Sequence, residues 1–80
     1  MKRLTLLGDR KKIRELSKKQ AGVFDQMVKL VNQIERTEDM ERKRALYEKL
    51  TLKIEQFNAL ADQIAKQPGP KIVLRFNYSV

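Results

Sequence analysis

From Ile13 onward, apolar side chains recur with the spacing of a buried helical stripe. Ile13, Met27 and Ile34 fall on one seven-residue series in which Gln20 is the single polar member, and Leu16, Val23 and Leu30 fill the intermediate position. Such an a/d pattern turns one narrow face of a helix toward a partner helix. Phe24 and Val31 lie beside the seam and widen it. Gly8-Asp9 offers a breaker followed by an N-cap, so the first helix is expected over 9–36.

The stretch "ERTEDMERKR" interrupts this pattern. Thr37 suits an N-cap, and Glu38, Asp39 and Glu41 supply the acids that the positive end of a helix dipole favours. A second helix is therefore expected over 38–67. Its apolar set is Leu46, Leu50, Phe57, Leu60 and Ile64, flanked by Tyr47, Ile54 and Ala61. "QPGP" ends it, since proline cannot continue a helix and glycine favours its C-terminal boundary. A short connection between two long helices implies an antiparallel hairpin. At 1.5 Å per residue, about 27 residues per helix give a rod of roughly 40 Å.

After Pro70 the period changes to two. Ile72, Leu74, Phe76, Tyr78 and Val80 alternate with Lys71, Arg75, Asn77 and Ser79, with Val73 as the exception. This predicts a half-buried strand over 71–80. Residues 1–8 read as a shorter strand or arm, centred on Lys2 to Leu7. The chain ends of a hairpin meet at its base, where these two strands could pair. The expected fold is α+β and mostly α: one domain over 1–80, a coiled-coil-like antiparallel two-helix hairpin with flanking N- and C-terminal β-strands in the order βααβ.

Composition narrows the chemistry. The 80 residues include no cysteine, histidine or tryptophan, which removes disulfides, the usual zinc sites and imidazole acid–base catalysis. Asp25, Glu35, Glu48, Glu55 and Asp62 are scattered over exposed helix positions without pairing, and there is no glycine-rich phosphate loop. The expectation is a protein with no catalytic residues, no cofactor, no metal and no small-molecule substrate. No apolar run approaches the 18 to 20 residues, roughly, of a membrane span, and Leu4 to Leu7 is too short for a signal-peptide core. A cytoplasmic protein without a membrane partner is expected.

Charge is where the sequence becomes informative. The net charge is +8, and residues 1–20 hold eight cations against Asp9 and Glu15. Lys2, Arg3, Arg10, Lys11, Lys12, Arg14, Lys18 and Lys19 crowd the start of a helix, where the dipole disfavours cations. On a helix, Lys11, Arg14 and Lys18 share one outward face, while Lys12 and Lys19 flank the seam. A solvated surface is one explanation of such a run. The other is contact with nucleic acid or an acidic partner. No aromatic residue lies in the segment, which argues against stacking on unpaired bases.

Two DNA-binding patterns bear comparison. Gly22, followed by Val23, Val28 and Val31, could form a helix-turn-helix with its turn at Ala21-Gly22. Lys18 and Ser17 occupy positions where that motif wants small and apolar residues, and the seam runs in phase through Gly22. A strand followed by two helices is also the order of ribbon-helix-helix proteins. These helices are too long for that pattern, which also lacks a terminal strand.

Two functions are expected. The first is a small basic non-catalytic module, a regulator or accessory factor, touching DNA or RNA through the start of the first helix. The second is a protein-interaction factor, such as an inhibitor or adaptor encoded by a virus or plasmid. Its interface, with a second copy or a larger partner, would comprise Phe24, Val31, Tyr47, Ile54, Ile72, Leu74, Phe76 and Tyr78. Gln20, polar within the seam, is a candidate for setting register.

Overall fold

The computed structural model describes the backbone of residues 2–76 and the side chains of residues 10–76. Two helices account for most of it: α1, Lys2–Arg36, and α2, Met40–Ala65. They pack antiparallel into a rod with extents of 58 × 22 × 14 Å. The seam follows the heptad reading closely. Leu16, Gln20, Val23, Met27 and Ile34 of α1 and Phe57, Ala61 and Ile64 of α2 are buried along it. Ile13, Leu30, Leu46, Leu50, Ile54 and Leu60 are half-buried around them. Lys53 sits on the α2 seam between Leu50 and Phe57 and is half-buried, its methylene stem covering apolar surface while the ammonium reaches water.

The helix boundaries differ from expectation for local reasons. Asp39, not Thr37, caps α2: its Oδ1 accepts from the Glu41 amide at 3.2 Å. Thr37 belongs instead to the end of α1, where its hydroxyl donates to the Gln33 carbonyl at 2.6 Å. The α2 C-terminus closes with the Gln67 amide on the Ile64 carbonyl at 3.0 Å. Gly69 then takes φ +97°, a conformation that side chains with a Cβ rarely adopt. Flanked by Pro68 and Pro70, it turns the chain back along the hairpin.

Neither flanking β-strand is present among the described residues, and the architecture is a helical hairpin, not βααβ. Residues 2–8, expected as a strand or arm, continue α1 toward its N-terminus. Once a helix exists, each added residue gains a hydrogen bond without a new nucleation cost. Leucine, lysine and arginine are strong helix formers, and Gly8 opposes them by only about 1 kcal/mol. Residues 71–76, expected as strand, lie against the hairpin without a ladder, because the segment that was to pair with them is helical. Residues 77–80, which complete the expected strand, lie outside the described residues.

The helices are unequal, 35 against 26 residues. The Gln20 carboxamide donates to the Phe57 carbonyl, so these two residues lie at one level of the hairpin. From that crossing α1 runs eighteen residues back to Lys2, whereas α2 runs only eight forward to Ala65. The start of α1 thus projects beyond its partner by about ten residues, roughly 15 Å.

Candidate functional site

The cations of the opening stretch come together where α1 leaves the hairpin. Arg10, Lys11, Lys12, Arg14, Lys18 and Lys19 are all exposed. Residues three or four apart share a helix face, so Lys11, Arg14 and Lys18 form one outward row, as the sequence implied. None of the six forms an ion pair among the described residues, where the two salt bridges are Lys29–Asp25 and Arg75–Asp62. The side chains of Lys2 and Arg3 lie outside the described residues. The result is an electropositive stretch at the open end of the hairpin, with six cations against Glu15 over residues 10–19 and no ion pair among them in the described residues.

The expected apolar interface is split. Phe24, Val31, Ile54 and Phe76 meet around a shallow groove of about 300 Å³, together with Met27, Val28 and Leu50. Phe24, Val28 and Val31 remain 46%, 41% and 40% exposed. Tyr47, two turns before Ile54 on α2, is also exposed. Ile72 and Leu74 do not seal the hairpin as a half-buried strand would; they are 82% and 59% exposed. They rim a wider groove of about 610 Å³ whose opposite wall is Ser17, Gln20 and Ala21. Tyr78 lies outside the described residues.

Phe76 anchors the segment. Its ring stacks nearly parallel on Phe24, with centroids 6.0 Å apart, and meets Phe57 edge-on at 4.8 Å. Such pairs add about 0.5–1.5 kcal/mol each beyond area burial. Two side-chain amides replace the missing strand neighbour. The Asn58 Oδ1 accepts the Phe76 amide at 2.9 Å, and the Asn58 Nδ2 donates to the Phe76 carbonyl at 2.9 Å. This is the reciprocal pair that an antiparallel strand would offer. Gln20 donates to the Leu74 carbonyl at 2.9 Å, so its buried amide serves both α2 and the tail. Arg75 pairs with Asp62 at the surface.

Sequence reasoning identified Gln20 as a polar seam residue but missed Asn58 and Asp62 as anchors. The available signal was weak: Asn58 is a poor helix former in mid-helix next to Phe57. Comparison of the chain with protein-family models, with curated proteins and with solved structures gives no match.

Proposed function

We propose that this chain is a non-catalytic binding module that contacts nucleic acid through the basic stretch 10–19 of α1. The observation that carries the reading is the run of six exposed cations at the open end of the hairpin, Arg10 and Lys11 on the projecting part of α1 and the rest alongside the end of α2, which pair with no carboxylate among the described residues. Six cations within ten residues of one helix repel one another, a cost that salt screens. An external polyanion offsets that cost through counterion release. The test is fluorescence anisotropy with a labelled duplex of arbitrary sequence across a salt series. Affinity should fall linearly on a log–log plot, and Lys11→Glu, Arg14→Glu and Lys18→Glu together should weaken it more than tenfold. Absence of parent binding at about 50 mM salt would end this reading.

A second reading, contact with a protein partner or a second copy, is favoured by the exposed Phe24, Val28, Val31 and Tyr47. Small monomers rarely leave contiguous apolar surface of this kind in water. Sedimentation equilibrium decides between a free monomer and an assembly, and a monomer mass at tens of micromolar would remove self-association. No helix among the described residues is long and apolar enough to cross a membrane.

A further inference from the structure

The hairpin's second long face lies opposite the three phenylalanines. It is a shallow trough between the helices, formed by two adjoining depressions of about 410 and 420 Å³. Lys29, Lys49 and Lys53 line the first; Arg36, Arg42 and again Lys49 line the second. No carboxylate lines either depression among the described residues. Glutamines 26, 33 and 56 and Thr37 supply the rest of the polar wall, and Lys53 donates to Gln56 at 3.4 Å. Lys29 also reaches Asp25 at 3.6 Å, across an ion pair more than two-thirds exposed on both sides, which leaves the ammonium available to a stronger anion.

The trough continues the basic end of α1. Lys12, Lys19, Gln26 and Gln33 recur every seven residues, which keeps them on one side of the helix. From Lys12 to Arg36 the axial distance is about 36 Å at 1.5 Å per residue, close to one turn of a nucleic-acid duplex. The row begins with two lysines and ends among five groove cations.

We propose that this trough, together with Lys12 and Lys19, is a track for the phosphate backbone of duplex nucleic acid. This rests on the nucleic-acid reading above and extends it from the end of α1 along the whole hairpin. Two features select the ligand class. A wall of cations without lining carboxylates is complementary to a regularly spaced polyanion. Single strands are gripped by stacking bases on aromatic rings, and no aromatic residue lines the trough; Phe24, Phe57 and Phe76 gather on the opposite face. Glutamine carboxamides add uncharged hydrogen bonds to sugar and phosphate oxygens, which position the duplex without reading its sequence.

The experiment measures anisotropy of a labelled duplex of about 20 base pairs, as DNA and as RNA, and of the matching single strand, at several salt concentrations. Three proteins are compared: the parent, an end variant with Lys11, Arg14 and Lys18 changed to Gln, and a trough variant with Lys29, Arg42 and Lys49 changed to Gln. All three replaced trough side chains are exposed, so circular dichroism melts should superimpose on the parent. The expected result is a loss of more than tenfold in duplex affinity for the trough variant, with the log–log salt slope shallower by about 2 to 3. Dependence on the trough with either DNA or RNA duplex supports the track. If only the end variant loses affinity, the end-of-helix reading stands and the track is overturned. If the single strand binds as tightly as the duplex and with the same dependence on the trough, the duplex assignment is overturned. If the parent binds none of the probes, both readings fall together.

Discussion

Replacing Asn58 by alanine should detach the 71–76 segment while leaving both helices of the hairpin formed. Asn58 makes two hydrogen bonds of 2.9 Å to the main chain of Phe76. A neutral hydrogen bond contributes about 0.5–1.5 kcal/mol net, so the pair supplies roughly 1–3 kcal/mol of docking. At about 1.4 kcal/mol per factor of ten, a loss of 2 kcal/mol shifts the docked-to-undocked ratio by about 30-fold. The hairpin feels an opposite effect, because alanine at a mid-helix position is better than asparagine by about 0.5 kcal/mol. The helix gain partly offsets the lost docking energy, so the melt should shift by less than the docking equilibrium does. Proton NMR reads the first through cross-relaxation between the rings of Phe76 and Phe24, whose centroids lie 6.0 Å apart. A thermal melt followed at a helix band reads the second. Full-strength contacts between Phe76 and Phe24 in Asn58→Ala would refute the idea that a side-chain amide holds this segment. A fall in melting temperature equal to that of a core deletion would refute the independence of tail and hairpin.

Gly22→Ala should stabilise the protein by about 0.5–1 kcal/mol, or roughly 4–8 °C in melting temperature per kcal/mol, since the residue lies inside α1 and an added Cβ meets nothing within 4 Å. A destabilised Gly22→Ala would revive a turn at that position. Gln20→Met, close in volume, removes the bonds to the Phe57 and Leu74 carbonyls but completes an apolar seam; hairpin stability should change by less than about 1.5 kcal/mol while amide exchange of Phe76 accelerates, and protected exchange there would count against the amide's role. Ile64→Ala, at a side chain only 1% exposed, should cost about 2–5 kcal/mol and lower the melting temperature by roughly 10 °C or more, measured by calorimetry or circular dichroism.

The hairpin was legible because its information is local and periodic. Ile13 through Ile34 and Leu46 through Ile64 carry the heptad themselves, and the buried residues fall on it. The terminal strands were misread for two different reasons. Leu4, Leu6 and Leu7 resemble a strand only over a very short window, and an adjacent helix extends into such a segment cheaply. The alternation from Ile72 to Phe76 is genuine, but a strand is a property of two segments, and its intended neighbour is part of α1. What holds the segment instead is an asparagine eighteen residues upstream and a glutamine fifty-four residues upstream. No periodicity encodes those pairings. The basic end of α1 was visible as a charge run, whereas the trough was not. Its cations come from both helices, spread among acids in sequence, and only the packing sorts them onto one face.

The position of Phe76 in the chain has a consequence for biosynthesis. Residues 71–76 are translated after both helices, and among the described residues it is Phe76 of this segment that covers Phe24 and Phe57. The hairpin can zip as soon as α2 is available, since its contacts need only the turn at 37–39. The sides of Phe24 and Phe57 that Phe76 covers stay open until the last of these residues arrives. For that interval the nascent chain carries a sticky hydrophobic surface, and any chaperone or assembly mate that reaches it first competes directly with Phe76 for the same two rings.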